Sequence, residues 1–231
     1  MLHRLLLAGA FAGLTFAAAQ AADVEAPPPE SFDWSGFYVG AQVGYGWGDF
    51  DIKITTGDLD AEPPFPNGDF DGVLGGAHAG YNFQADQFVF GLEADIEASD
   101  MDGSDTWGQE VEDVDVEVLG SLRARAGIAL DNLLLYATGG LAGAEIKYTT
   151  DIIPGSTSNN NVDYWGYAVG GGVEYAFSES LSVRLEYRYT DLGEETFNPK
   201  SIECFPIDCK LHGDVDFHAV RAGISWHFGA L

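Results

Sequence analysis

The chain has 231 residues, and its 37 Asp plus Glu against 10 Lys plus Arg give a formal net charge of -27 at pH 7. This acidity excludes a nucleic-acid binder, because phosphates would repel such a surface. A content of 46% hydrophobic and 13% aromatic residues excludes a disordered acidic tail. With 30 glycines, two cysteines and two methionines, the composition favours a turn-rich all-β protein.

The first 21 residues have the pattern of a secretory signal peptide. Arg4 supplies a positive charge, residues 5–19 are uncharged, and Ala19-Gln20-Ala21 forms an A-x-A cleavage site. The uncharged stretch is too short to cross a bilayer core of about 30 Å comfortably, which argues against a membrane anchor. We therefore predict a cleaved signal peptide over residues 1–21 and a proline-rich periplasmic spacer over residues 22–33.

From Ser35 onward, apolar residues recur at every second position, which is the pattern of β-strands. In the first segment, Phe37, Val39 and Val43 share a face with Tyr45 and Trp47. Each segment can supply the roughly 9–11 residues of a tilted transmembrane strand. The alternating segments cover residues 36–47, 73–83, 88–97, 116–130, 134–148, 162–177, 181–191 and 215–228.

The connections between these segments alternate in length. Short turns at 84–87, 131–133 and 178–180 alternate with the long polar stretches 50–72, 98–115, 149–161 and 192–214. This alternation is typical of outer-membrane barrels. We therefore predict an all-β fold over residues 34–228, an eight-stranded antiparallel up-and-down transmembrane β-barrel with short periplasmic turns and long extracellular loops.

Three features indicate that the apolar face points outward. The opposite face is mostly Gly, Ala, Ser, Arg and Glu, which suits the narrow interior of an eight-stranded barrel. Aromatic residues, Trp34 and Trp165 among them, cluster at the segment ends, as in interfacial girdles. The last strand ends in Ser225-Trp226-His227-Phe228, an aromatic terminus that we expect the barrel-assembly machinery to read, although Gly229-Ala230-Leu231 follows it.

Several motifs resemble a known family. Residues 34–40 (WSGFYVG) resemble the opening motif of small alphaproteobacterial outer-membrane barrels, the opacity or porin-like proteins with the outer-membrane protein beta-barrel domain. Residues 134–140, 172–177, 186–189 and 218–223 are similar to its later motifs, in the correct order. The resemblance implies an eight-stranded envelope barrel, with haemin binding, antigenicity or envelope stabilisation reported for some members and no shared catalytic motif.

All five arginines of the predicted mature chain lie on the face assigned to the lumen. A charge facing lipid would cost about 2–4 kcal/mol near the midplane, so an inward position is expected. The cluster could form the constriction of a pore, but we favour a plug, because side chains just fill an eight-stranded barrel. The predicted lumen network comprises Glu93, Glu117, Arg123, Arg125, Glu174, Arg184, Glu186, Arg188 and Arg221, with Asp95 on the same face. Counting back from the 178–180 turn places Glu174 opposite Arg184, within reach of a direct ion pair.

Cys204 and Cys209 are the two cysteines of the chain, and in an exported protein they predict a disulfide. Two thiols without a close pair of histidines are too few for a metal site. The acidic segment 100–105 resembles a calcium-binding loop only faintly, because position twelve is Val111 rather than Glu. We therefore expect no metal site and no cofactor.

Small barrels can also act on lipid A, and a histidine could then serve as the catalytic base. His218 is predicted to face lipid near the outer rim, but no outward Ser lies on its strand. His212 in the fourth long connection could ligate haem iron, although one exposed His is a weak signal. No catalytic residues are therefore assigned.

The sequence favours a non-enzymatic barrel of the bacterial outer membrane with a structural, envelope-stabilising and surface-interaction role. The expected partners are outer-membrane lipid, lipopolysaccharide and the barrel-assembly machinery, with no nucleic acid and a surface ligand not identified. A small-solute porin or a haem- or ligand-binding receptor is the alternative, and a lipid-modifying enzyme is the least favoured.

Overall fold

Long antiparallel strands form a closed barrel in the computed structural model, which describes residues 31–56, 59–60, 68–107, 110–153, 156–197 and 209–229. Within these residues the eight barrel strands are β1 (Gly36–Thr56), β2 (Gly68–Ala85), β3 (Phe88–Trp107), β4 (Glu110–Leu130), β5 (Leu133–Ile153), β6 (Ser156–Ala176), β7 (Leu181–Phe197) and β8 (Cys209–His227). Each strand pairs with the next, and β8 pairs with β1, which closes the sheet. The predicted eight-stranded antiparallel barrel is confirmed. A two-residue strand, Leu59–Asp60, pairs with the end of β1.

Tight turns join the strands at one end of the barrel. Asp86 and Asp131 begin two of these turns with positive φ angles of 53° and 54°. Asp adopts this left-handed conformation more readily than most residues, because its short side chain can hydrogen-bond to the nearby backbone. No helix in the described part of the chain is long and apolar enough to cross a membrane.

The assignment of faces from the sequence is confirmed by side-chain exposure. Val43 and Leu92 are 57% and 61% exposed on the outside of the wall, whereas Gln42 and Glu93 beside them are buried in the lumen. The same holds for the other outward positions that the alternation predicts, which are Val118, Leu122, Val169, Val183, Leu185 and Ile224. Each strand therefore presents an apolar face to its surroundings and its other face to the interior.

The strands are longer than the alternating pattern predicts. β3 runs on to Trp107 and β4 starts at Glu110, so most of the acidic stretch 98–115 is strand rather than loop. The apolar residues of the outer face stop where a strand leaves the bilayer, because that face is then in water, but backbone pairing continues and the inner face stays buried. Residues 100–105, whose sequence resembles a calcium-binding loop only faintly, are part of this strand, and Met101 is buried between the exposed Asp100 and Asp102.

The lumen contains three layers of side chains. Apolar residues that include Phe70, Met101 and Phe217 pack together toward the ends of the long connections. A charged layer lies below them, and a second apolar cluster of Trp34, Val89, Leu134, Tyr136 and Ala176 lies at the end with the tight turns. The predicted polar interior is therefore correct only for the middle layer. Trp34, predicted in the outer girdle, is instead fully buried inside the barrel.

The remaining predictions on the N-terminal segment fall outside the described residues. The signal peptide over 1–21 lies there entirely, as does the proline-rich spacer up to residue 30. Both stay predictions.

Candidate functional site

Five arginines and five carboxylates form the charged layer across the bore of the barrel. Every one of these side chains is buried, and the numbers of positive and negative groups are equal. The members are Arg123, Arg125, Arg184, Arg188 and Arg221 with Glu93, Asp95, Glu97, Glu174 and Glu186. Because buried charges are stable only when they are paired and hydrogen-bonded, equal numbers of the two signs allow the layer to exclude water.

Arg123 lies at the centre of this layer, and all three nitrogens of its guanidinium make polar contacts. Its Nη2 contacts Glu93 at 2.6 Å and Asp95 at 3.1 Å, and its Nη1 contacts Glu186 at 2.9 Å. Nη1 also donates to the Thr138 hydroxyl at 2.8 Å, and Nε donates to Ser121 at 3.0 Å. One side chain thus links β3, β4, β5 and β7 across the lumen.

Arg188 and Arg221 extend the layer toward the outer end. Arg188 contacts Glu186 at 2.8 Å and Asp95 at 3.0 Å. The Nε of Arg221 donates to both Glu97 oxygens at 3.0 and 3.1 Å, and Gln42 donates to the same carboxylate at 2.8 Å. Charge-assisted contacts of this kind are the strong hydrogen bonds of proteins. They fix the side chains in the positions where they fill the bore.

Glu174 and Arg184 are opposed in register as the sequence predicts, but the predicted ion pair between them is wrong. Glu174 pairs with Arg125 and accepts a hydrogen bond from Ser182. Arg184 reaches across the lumen to Glu93 at 2.5 Å and also donates to Gln42. In a narrow barrel a long side chain can reach the opposite wall, so adjacency along the sheet does not decide which charges pair.

Glu117, predicted in the lumen, lies outside it, and this prediction is wrong. The pairing of β4 with β5 shifts between Val116 and Val118, which places Glu117 at a bulge. Its side chain is 47% exposed, 3.8 Å from the ammonium of Lys147. Counting every second residue back from Arg123 crosses this bulge, so the count assigns Glu117 to the wrong face. Glu97, absent from the predicted network, is a full member, and extending the alternation of Glu93 and Asp95 by one step would have found it.

A second group in the lower lumen has the residue types of a hydrolase but not its geometry. The Ser182 hydroxyl lies 2.9 Å from His227 Nε2. The Glu174 carboxylate contacts Ser182 and lies 3.4 Å from that same Nε2, so it does not orient the base through its other nitrogen as a catalytic triad requires. Ser182 and Glu174 are fully buried, and Trp34 packs edge-on against His227 at 5.7 Å. A substrate therefore has no access to this serine.

His218, considered as an outer catalytic base, belongs to an aromatic cluster on the outer wall. Its Nδ1 is 2.7 Å from the Tyr187 hydroxyl, and its ring lies against Trp47 and Tyr189. This environment is that of an interfacial girdle.

The predicted disulfide and the proposed haem ligand cannot be placed. Cys204 is outside the described residues, and Cys209 and His212 are described only as backbone positions of β8. The disulfide therefore stays a prediction.

A closed antiparallel barrel with an apolar exterior, exposed aromatic residues toward both ends and a charged, filled interior is an integral outer-membrane β-barrel. The crystal structure of the outer membrane protein OprG from Pseudomonas aeruginosa has a similar fold, with a TM-score of 0.56 and 15% identity, covering 86% of this chain and 99% of that one. This likeness supports the fold alone.

The sequence comparisons identify the family. The model of the "Outer membrane protein beta-barrel domain" matches residues 9–228, and the chain belongs to that family. It is 32% identical to the 31 kDa outer-membrane immunogenic protein of Brucella melitensis over 219 residues, covering 88% of this chain and 87% of the relative. It is 34% identical to the 22 kDa outer membrane protein of Rhizobium leguminosarum over 178 residues, covering 75% and 72%. The protein is therefore located in the bacterial outer membrane, as predicted, and the predicted resemblance to alphaproteobacterial barrels is confirmed.

Proposed function

We propose that the protein is a non-enzymatic structural barrel that stabilises the outer membrane and whose lumen is closed by the Arg/Glu layer. The observation that supports this proposal is the charge-balanced layer of ten buried side chains across the bore. Eight strands leave an interior that side chains can fill, whereas barrels with open channels have more strands. Trp34 and the upper apolar cluster provide two further seals, below and above the charged layer.

We also propose a surface-interaction role, which is supported by the part of the strands that extends beyond the bilayer. β3 and β4 carry acidic residues far past the apolar band, and exposed Asp100 and Asp102 are examples. This extension presents a stiff, acidic surface outside the cell. The Brucella relatives are named immunogenic proteins, which suits a barrel with such an exposed extension.

Assembly and export complete the proposal. Trp226 and Phe228 at the end of β8 are exposed on the outer wall, and we assign them as the recognition segment for the barrel-assembly machinery. The signal peptide over residues 1–21 would direct the chain across the inner membrane.

Single-channel recording in planar bilayers tests the closed lumen. The refolded wild type should give no steady open-channel current, because each layer of the bore is filled. A matched pair of variants should differ: Arg188→Ser, which removes a long side chain from the bore, should increase brief openings, and Val43→Ser on the outer wall should not. A large, steady current from the wild type would contradict the proposal and favour a small-solute pore.

A further inference from the structure

The wall of the barrel divides between β6 and β7 toward its outer end. These two strands pair from their tight turn up to Tyr167 and Asp191. Both strands continue beyond that row, β6 through residues 156–166 and β7 through residues 192–197, but there the described strands do not pair with each other. β8 and β1, by contrast, stay paired up to their outer ends. β6 and β7 therefore each present one strand edge that has no neighbouring strand.

A bulge on β7 explains why the pairing ends at this row. The pairing of β7 with β8 shifts between Asp191 and Glu194. Between them, Gly193 has a positive φ of 68°, and its N–H donates to the Asp191 carboxylate at 2.9 Å. A glycine in the left-handed conformation is typical of bulges that bend a strand and end its pairing. The separation of β7 from β6 is thus built into the sequence.

Hydrogen bonds at the tight-turn end show which backbone groups of β6 face the open side. The Ala176 N–H donates to the Asn132 carbonyl beside β5, whereas the Phe177 N–H donates to the Leu181 carbonyl of β7. Successive residues of an antiparallel strand direct their backbone groups to opposite neighbours, and the register of β6 with β5 is unbroken down to Thr157. Odd-numbered residues therefore direct their N–H and C=O groups to the open side. In the outer part of β6 these are Thr157, Asn159, Asn161 and Asp163.

The two open edges differ in how they are protected against a further strand. Natural proteins protect free edges with charges, prolines or bulges. β7 has the bulge at Gly193 and two successive acidic residues, Glu194 and Glu195. Residues 156–162 of β6 (STSNNNV) contain no charge and no proline. An unprotected edge is a template for pairing with another chain, so β6 is the edge that can accept one.

The open edge of β6 lies outside the membrane. Tyr175 and Trp165 are both exposed and lie ten positions apart on β6. At about 3.3 Å per residue and a tilt of about 40°, this separation is about 25 Å along the barrel axis, the height of the apolar band. Trp165 therefore lies at the outer interface. Residues 156–163 precede it along the strand and are in water, where a partner from outside the cell can reach them.

The charge around this edge selects the kind of partner. The outer parts of the three strands concerned, residues 145–153, 156–166 and 191–197, contain six acidic residues and one basic residue, Lys147. The whole chain has a formal net charge of -27. An acidic peptide would be repelled, whereas a basic peptide would be attracted and would associate faster.

A second copy of the chain fits this edge poorly. Two barrels in one membrane are related by an axis along the membrane normal, so their β6 strands, each tilted by about 40°, would cross at about 80°. Neighbouring strands of a sheet differ by only about 20–25°. Such a crossing prevents a row of hydrogen bonds along the edge, whereas a segment that is not fixed in the membrane can align with β6.

We propose that the open edge of β6 binds an extended, basic segment of a partner protein outside the cell, which adds to the sheet as a further strand. Main-chain hydrogen bonds to the odd-numbered residues from Thr157 to Asp163 hold the segment, and the surrounding carboxylates favour its lysines and arginines. This inference rests on the surface-interaction role proposed above, for which it names the site and the chemistry of the partner.

Fluorescence anisotropy tests the site in the full-length barrel in dodecyl maltoside micelles. The probes are three labelled peptides of about eight residues, the length of an ordinary strand. One alternates Lys and Thr, the second is the same peptide with every backbone nitrogen methylated, and the third alternates Glu and Thr. We expect saturable binding of the Lys–Thr peptide and at least about tenfold weaker binding of the other two.

Amide hydrogen exchange, followed by NMR, locates the bound peptide. The Lys–Thr peptide should slow the exchange of the Asn159 and Asn161 amides at least about tenfold, because those N–H groups gain an acceptor. Exchange at Ser158 and Asn160 should not change, because their N–H groups already face β5. Uniform slowing along the strand would contradict pairing at the open edge.

A matched pair of variants separates the backbone from the side chain. Asn159→Pro removes an N–H from the open side and leaves the bonds to β5 in place. It should weaken binding of the Lys–Thr peptide at least about tenfold, whereas Asn159→Ala, which keeps the N–H, should bind like the wild type. If Asn159→Pro fails to fold, the methylated peptide and the wild type still decide the matter.

Three outcomes would overturn the proposal, and they differ in what else they remove. Equal binding of the methylated and unmethylated Lys–Thr peptides would exclude the strand edge but leave a surface role that depends on charge alone. Absence of binding by all three peptides would exclude the edge and also count against the surface role, although the closed lumen would stand on its own conductance test. A dimer in sedimentation experiments that Asn159→Pro dissociates would assign the edge to a second copy of the chain.

Discussion

The pair Glu174 and Arg125 offers the sharpest test of the charged layer. Glu174→Gln keeps the volume of the side chain but removes the charge that faces Arg125. The stranded guanidinium keeps the Tyr136 ring, whose centroid is 3.8 Å away, and the Tyr38 hydroxyl at 3.3 Å. Removing one partner of a buried ion pair costs roughly 3–5 kcal/mol, and the cation–π contact, which is present before and after the change, leaves the remaining guanidinium partly compensated. We therefore expect a cost near the lower limit, about 3 kcal/mol.

The reverse change, Arg125→Met, should cost more. It leaves Glu174 charged in the lumen with the Ser182 hydroxyl and the His227 ring as its neighbours. We expect about 4 kcal/mol, within the range for a broken buried pair. The double variant removes both charges together and should cost about 5 kcal/mol, roughly 2 kcal/mol less than the sum, as is usual for residues in direct contact.

Urea unfolding in detergent micelles, followed by tryptophan fluorescence, measures the four free energies of this cycle. The control cycle combines Glu174→Gln with Arg184→Met, because those residues are opposed in the sheet but pair elsewhere. Its coupling should be clearly smaller. Additive effects in the Glu174/Arg125 cycle, or a larger coupling in the control, would refute the pairing that the structure shows.

Three further predictions concern the wall and the cysteines. A spin label at Val43 should be accessible to oxygen and shielded from polar quenchers, whereas a label at Gln42, inside the filled lumen, should be poorly accessible to oxygen. The reverse order of oxygen accessibility would contradict the outward face. Cys204 and Cys209 should both resist thiol labelling in protein from cells until a reductant is added. Reduction should lower stability by at most a few kcal/mol, because the loop that the disulfide closes is short. Full labelling without reductant would exclude the disulfide. Gly140→Ala should destabilise the barrel by about 1–3 kcal/mol in the same urea assay, because the added Cβ would collide with the Leu122 carbonyl. The control Gly139→Ala, whose Cβ meets nothing closer than 3.9 Å, should change stability by less than about 0.5 kcal/mol. Equal effects of the two variants would show that the lumen wall is not tightly packed.

The fold could be predicted because a two-residue period assigns every side chain to one of two faces. The period assigns Leu92 and Glu93 to the correct faces, because this part of β3 lies within the membrane and its outer face must be apolar. It fails at Glu117, because a bulge inserts one residue and reverses the faces beyond it. It also ends too early in β3, because the outer face becomes acidic at Asp100 and Asp102 while strand pairing continues and Met101 stays buried inside.

The partners within the lumen could not be predicted from register. Arg184 passes its opposed neighbour Glu174 and contacts Glu93 on a strand that lies across the barrel. The alternation of residues on one strand holds no information on how far a side chain reaches through the bore. Trp34 illustrates the same limit, since the sequence places it at a girdle position and the structure places it inside the lumen.

The long-range contacts of the arginines have a consequence for the order of assembly. Glu93 on β3 needs Arg123 from β4 and Arg184 from β7, and Glu97 on β3 needs Arg221 from β8. A partly assembled barrel that ends at β4 therefore contains Glu93 and Glu97 before the strands that carry Arg184 and Arg221 have been added. Those groups must stay hydrated until the last strand docks against the first. We therefore expect water to leave the lumen only when the wall closes. A partly assembled barrel should keep a hydrated interior.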